Sequence, residues 1–155
     1  MKVMEECSLN NNLSRKGCYY LKPSRVDHIG IAVPNLEEAV KLYQALGLEP
    51  QGYETVDEQK AKVAFFPLGD SELELLESTT PDGPIGKFVE KNGGKGGLHH
   101  IALRVDNIKE AIVNMQEKGF QMIDKEPRYG AGNTSIAFVH PKSSGGILLE
   151  LTQRN

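Results

Sequence analysis

The sequence predicts an α+β protein: two tandem βαβββ modules whose strands join in one curved, mixed sheet around a cup. Three observations lead there. A segment near the start of the chain recurs at a fixed offset later on. In each copy, strand-like alternation gives way to helical periodicity at the same place. The 155 residues suit one ordinary domain, or two small modules sharing a core.

The repeat aligns Val26–Gly47 with Leu98–Gly119, an offset of 98 − 26 = 72. Eight pairs are identical: His28/His100, Ile29/Ile101, Val33/Val105, Asn35/Asn107, Glu38/Glu110, Ala39/Ala111, Gln44/Gln116 and Gly47/Gly119. Chance would supply about one or two over such a window, so the pattern is that of a duplication.

Each element has a local reason. Residues 26–33 alternate and read as a strand, broken by Pro34. Asn35 is placed to N-cap a helix, with Glu38 in the capping-box position. Leu36, Ala39, Val40, Tyr43 and Leu46 form its apolar stripe, and Gly47 ends it. Strands follow around 49–55, 61–67 and 72–78, then a short helix near Ile85 to Lys91. The second copy predicts a strand at 99–105, a helix at 107–118, and strands near 120–127, 134–140 and 147–152. The boundaries are a single domain over 25–153, with modules of about 25–80 and 98–153 and a linker over 81–97. The linker's GGKGG, 93–97, lacks the GxxxxGK[ST] frame of a phosphate loop and precedes a strand, so it reads as a flexible joint.

Composition narrows the function classes. The net charge is −3 and no basic stripe occurs, which argues against a nucleic-acid binder. No stretch approaches the roughly 20 apolar residues of a membrane span. Residues 1–24 read as a loose or docked arm, or as a start-site artefact, without the apolar core of a secretory signal. Cys7 and Cys18 lie in this arm, too few and too far from other ligands for a disulfide framework or a zinc site. The default address is the cytoplasm.

The strands carry the chemistry. His28, Gly30 and Ala32 share one face of the first strand, and His100 and Ala102 repeat that pattern. His99 falls on the opposite face and reads as a structural or edge residue. In ELELLE, Glu72 and Glu74 oppose Leu73 and Leu75, with Glu72 expected to face solvent. Glu150 is the only charge in 145–152. A carboxylate in such a run is costly unless paired or bound to a metal. His28 to Glu74 spans 46 residues and His100 to Glu150 spans 50, so each copy delivers one imidazole and one carboxylate at matching positions. No lysine or arginine is equivalently placed to neutralise the carboxylates. The expectation is a divalent ion in a mixed N/O site, with Co, Mn, Ni, Zn or Fe(II) favoured over Ca or Mg.

Taken together, DHIGIAV, ELELLEST, GLHHIALRV and HPKSSGGILLELTQ resemble the vicinal oxygen chelate (glyoxalase-like) superfamily and, more narrowly, its methylmalonyl-CoA epimerases. The resemblance spans about 25–153 and implies the vicinal oxygen chelate fold, with the cup holding the metal. It implies metal ligands at His28, Glu74, His100 and Glu150. It implies interconversion of the C2 epimers of methylmalonyl-CoA by proton abstraction α to the thioester. Glu150 is the first candidate base and Glu74 its partner for the opposite face. The third strand, AKVAFFP, offers no further carboxylate. Lys142, Ser143 and Ser144, with the loop 128–133, are the candidate contacts for the CoA tail. His140 reads as structural. The implied cofactor is Co, Zn, Mn or Ni, the partner an acyl-CoA, and the assembly a homodimer. The competing readings are a glyoxalase I-type isomerase, an Fe(II) ring-cleaving dioxygenase and a non-enzymatic small-molecule binder of the same fold.

Overall fold

A computed structural model describes residues 22–155. The cysteines and nearly all of the arm lie outside the described residues. The first half contains β1 (Val26–Ala32), α1 (Leu36–Ala45), β2 (Gly52–Val56), β3 (Ala61–Leu68) and β4 (Ser71–Ser78). After α2 (Pro84–Lys91) come β5 (Gly97–Arg104), α3 (Ile108–Glu117), β6 (Arg128–Gly130), β7 (Thr134–Val139) and β8 (Leu149–Arg154). All eight strands form one sheet in the order β2-β3-β4-β1-β5-β8-β7-β6. β1 runs parallel to β4 and β5 parallel to β8, while β1 and β5 meet antiparallel at the centre. The sheet is therefore a mixed one with two βαβββ halves related end to end.

The helix caps form as their residue types dictate. Asn35 Oδ1 accepts from the Glu38 N–H at 2.9 Å, and Asn107 Oδ1 from the Glu110 N–H at 3.2 Å. Each first helical N–H is taken by the last strand of its own half: Leu36 donates to Glu77 at 2.5 Å and Ile108 to Gln153 at 2.9 Å. Gly47 and Gly119 follow the helices at φ 87° and 83°, a conformation that costs glycine little.

α1 and α3 cover the outer face of the sheet, while α2 packs on the face that carries the histidines. Leu36 and Val40 of α1 pack on Ala64, Phe66 and Leu75. Ile108, Ala111, Ile112 and Met115 of α3 pack on Ala137, Val139 and Leu151. A third cluster, with Val63, Leu76, Ile85 and Ala131, brings α2 and both halves together.

The chain departs from the sequence pattern over 120–130. The strand expected near 120–127 makes only an isolated bridge, Met122 to Val139, and β6 forms at 128–130, inside the segment read as a loop. Two residues explain this. The Asp124 carboxylate accepts the Phe138 N–H at 2.9 Å, taking a bond that a strand carbonyl would otherwise accept. Pro127 has no N–H to donate. β8 begins at Leu149, two residues later than the pattern suggests, after a turn in which Gly145 and Gly146 hold positive φ angles of 68° and 91°.

The open edges β2 and β6 meet across the cup. Glu54 accepts from the Tyr129 hydroxyl and from the Gly132 N–H, both at 2.8 Å, and Gln59 donates to the Tyr129 carbonyl at 3.1 Å.

Candidate metal centre

The central antiparallel pair places the histidines by register. His28 on β1 lies opposite Ala102 on β5, and His100 lies opposite Gly30. The small partner is required: a methyl built at Gly30 would overlap the His100 ring. The parallel partners add the acids, with Glu74 beside Gly30 and Glu150 beside Ala102. Two short rows across the sheet, Glu74–Gly30–His100 and Glu150–Ala102–His28, thus deliver four ionisable side chains to one spot. All four are at most 5% exposed.

The nitrogen Nε2 of His28 lies 3.1 Å from Nε2 of His100. Glu150 approaches His28 Nε2 at 3.5 Å and His100 Nε2 at 3.4 Å. Donor atoms of these three lie within 4.8 Å of one another. Glu74 stands 3.6 Å from His28 Nε2 but outside that mutual group. The sequence expectation of four converging residues therefore becomes a tight trio with Glu74 at its edge.

The donor set fits a divalent ion. Donors about 2.1 Å from one cation and at right angles to each other lie about 3 Å apart, close to the spacings here. Glu150 Oε1 is buried with no hydrogen-bond partner among the described residues, an expensive state for a carboxylate that lacks a cation. Two imidazoles and a carboxylate suit a borderline transition ion.

The electrostatics describe a crowded, dry centre. Burial pushes the Glu150 carboxyl up to about 8 and Glu74 up to about 7, in each case against the pull of His28. Burial works against charge on His28, yet Glu74, the hydrogen bond to Asp27 and Glu150 raise it to about 9. Burial and the neighbouring imidazoles of His28 and His99 hold His100 well below the usual range. Burial lowers His99 to about 4.

Several contributors were not visible in the sequence. Asp27 is 1% exposed, and its carboxylate accepts from His28 Nδ1 at 2.9 Å. It also accepts from Arg104 Nε at 2.6 Å and Arg154 Nη2 at 2.7 Å. Although burial opposes its ionisation, these three partners hold the Asp27 carboxyl well below the usual carboxylate range. Glu72, expected to face solvent, instead pairs with Arg154 at 2.5 Å and its side chain is 13% exposed. The preceding D of DHIG was the only signal for Asp27, and the partnering arginines sit far away in sequence.

A pocket of about 210 Å³ opens onto His100. Leu76, Ile85, Phe138 and Leu148 make it apolar, while Glu58, His99 and Arg128 add polar groups. Glu58 comes from the 3₁₀ turn Asp57–Gln59 before β3, so the sequence reading that looked for a carboxylate on the third strand missed it. Lys142, Ser143 and Ser144 do not line this pocket. Ser143 accepts the Gln121 N–H at 2.9 Å, and Ser144 donates to the Ile147 carbonyl. His140 caps the same turn, accepting from the Lys142 N–H at 3.1 Å. Of the loop 128–133, Arg128 alone reaches the pocket lining. Among the described residues no helix is long and apolar enough to cross a membrane.

Comparisons with known proteins fit this geometry. Residues 27–138 match the model of the Glyoxalase/Bleomycin resistance protein/Dioxygenase superfamily. The human mitochondrial methylmalonyl-CoA epimerase is 38% identical over 130 residues, covering 83% of this chain and 73% of that protein. An ethylmalonyl-CoA/methylmalonyl-CoA epimerase of Cereibacter sphaeroides is 37% identical over 131 residues, covering 83% and 97%. A solved methylmalonyl-CoA epimerase in complex with methylmalonyl-CoA and NH4+ superposes with a TM-score of 0.80 at 36% identity, covering 86% of this chain and 96% of that one. The chain belongs to the glyoxalase/bleomycin resistance/dioxygenase superfamily and, within it, to the methylmalonyl-CoA epimerase family of isomerases.

Proposed function

We propose that this protein interconverts the two C2 epimers of methylmalonyl-CoA, using a divalent ion held by His28, His100 and Glu150, with Glu74 beside them. The observation that carries the reading is the buried trio of donors within 4.8 Å, one of which, His100, lines a largely apolar pocket, in a member of the epimerase family. When bound there, the ion supplies Lewis-acid stabilisation of the negative charge that develops on the thioester oxygen.

The protein's own residues do the rest. The apolar walls exclude water, which strengthens every charge interaction inside. A carboxylate takes the proton from C2, and a group on the other face returns one. Glu150 and Glu74 are the candidates within the centre. Glu58 adds a third: it faces the same pocket and has no ion-pair or hydrogen-bond partner among the described residues. A base that does not also serve the ion keeps its lone pair for the substrate, so Glu58 is the better choice for one of the two faces. Arg128 is the cation in the pocket lining and the candidate contact for the CoA tail. A homodimer belongs to the same reading and rests on the family resemblance.

Deuterium uptake at C2 of (2R)- or (2S)-methylmalonyl-CoA in D2O tests the proposal, with ethylmalonyl-CoA run alongside. Exchange that needs added divalent ion is the expected result. Turnover of the glutathione hemithioacetal of methylglyoxal without exchange would sink it in favour of a glyoxalase. One observation favours a second reading: two histidines and one carboxylate are also the donor set of non-haem Fe(II) oxygenases. Oxygen consumption by the iron-loaded protein with catechols would establish that alternative.

A further inference from the structure

The register of the two central strands contains a detail that the ligand geometry does not use. On β1, the step from Val26 to His28 spans only Leu103 to Ala102 on β5, so Asp27 is an extra residue. On β5, the step from His100 to Leu98 spans only Gly30 to Ile31 on β1, so His99 is an extra residue. Each is a β-bulge, and each bulged residue immediately precedes a histidine of the centre. The two are equivalent by the repeat, since 27 + 72 = 99.

A regular strand would send neighbouring side chains to opposite faces. A bulge turns one of them. Here it brings each bulged side chain back onto the next residue's ring. Asp27 Oδ1 lies 2.9 Å from His28 Nδ1, and His99 Nδ1 lies 2.9 Å from His100 Nδ1. An ionised carboxylate only accepts, so His28 Nδ1 carries the hydrogen, and in the neutral ring that an ion requires Nε2 holds the free lone pair. The same outcome at His100 requires its Nδ1–H to donate to His99.

We infer that Asp27 and His99 are a duplicated pair of positioning residues, turned inward by matching bulges to fix both metal-binding histidines as Nδ1–H tautomers with Nε2 aimed at the ion. The inference rests on the metal reading above and adds to it a role for two residues that touch neither ion nor reacting atoms. The two halves supply the bond differently. Asp27 is a charge anchored by Arg104 and Arg154. His99 is a ring wedged edge-on against Phe88, at 5.1 Å between centroids, on the pocket wall. His28 is thus the rigidly held ligand, and His100 the one whose support borders the pocket.

Two measurements test this without relying on turnover. In the first, Co²⁺ affinity is measured by chelator competition for the wild type, Asp27→Asn and His99→Phe, with the visible Co²⁺ spectrum recorded for each. Loss of about 10- to 100-fold in affinity, with an altered spectrum, is the expected result for both variants. His99→Phe removes no charge and keeps the ring stack, so it remains decisive should Asp27→Asn unfold. In the second, long-range ¹H–¹⁵N correlations of the Zn²⁺-loaded wild type report the tautomers directly. Both His28 and His100 must carry their hydrogen on Nδ1. Wild-type affinity and spectrum in the variants, or an Nε2–H on either ring, would overturn the inference while leaving the metal centre intact. A wild type that binds neither ion would instead overturn the metal reading itself.

Discussion

The two halves of this molecule share a plan and differ in what they attach to it. Both carry the same strand, the same asparagine cap, the same closing glycine and one imidazole with one carboxylate. Yet only the second half contributes both of its ionisable donors to the tight trio, while Glu74 of the first half stands at its edge. The first half instead supplies the anchored acid, Asp27, and the pocket carboxylate, Glu58. The repeat keeps the parts that set one imidazole and one carboxylate in each half, and the halves differ in the groups around them. The lesson is that equivalence by sequence offset does not mean equivalence of work.

The largest effect should come from the trio. His100→Ala and Glu150→Gln are expected to lower C2 deuterium exchange by at least about 10²- to 10³-fold, the scale for losing a main electrostatic stabiliser. Glu74→Gln should cost less than Glu150→Gln, and equal losses would mean that the halves contribute alike. Metal content of each purified variant separates loss of the ion from loss of a base.

Gly30 and Ala102 break the comparison more finely. Gly30→Ala forces a methyl into the His100 ring, so a stability loss of about 1–3 kcal/mol and loss of metal binding are expected. Ala102→Gly opens space opposite His28 and should cost about 0.5–1 kcal/mol with the metal retained. Denaturant unfolding with metal titration checks both.

The pH dependence has a definite sign. Glu74 and Glu150 are raised to about 7 and 8 in the folded, metal-free chain, so between the ordinary carboxylate range and those values the folded state holds more protons than the unfolded one. His28, raised to about 9, acts the same way above its ordinary value. His99 and His100, held below their ordinary range, oppose this below about 6.5, so stability of the metal-free protein falls as pH rises from about 6.5 to about 9. A divalent ion reverses this, because it favours ionised carboxylates and deprotonated imidazole. Melting temperatures with and without Co²⁺ across that window should diverge, and parallel curves would contradict the metal centre.

The smallest effect is the most symmetrical. Asn35→Ala and Asn107→Ala should each cost about 1 kcal/mol, nearly the same in both halves. A large inequality in thermal unfolding would show that the two helices no longer contribute alike.

Much of this was legible in the sequence, for a physical reason. Alternation, caps and closing glycines are local signals, and the repeat doubled each of them. The same parity argument put His28, Glu74, His100 and Glu150 on one face. It failed at His99, because a bulge inverts parity and leaves no mark in composition, and the matching bulge left Asp27 unread. It failed at 120–130, where FQMI looks strand-like but the Asp124 side chain and Pro127 displace the ladder. Glu58 escaped because it sits in a turn, and no periodicity tells where a turn side chain faces.

The acid at position 27 has a consequence for the unity of the chain. It comes from the first repeat, whereas both guanidiniums that grip it come from the second. At the 72-residue offset Arg104 corresponds to Ala32, so the grip has no mirror image. The buried carboxylate of one repeat is thus neutralised by guanidiniums of the other, and each side of the pair depends on the opposite half. Removing one partner of a buried ion pair in the folded chain costs about 3–5 kcal/mol. The halves look alike, yet the ion pair that joins them carries one sign on each side, so it works as a clasp that only the whole chain can close.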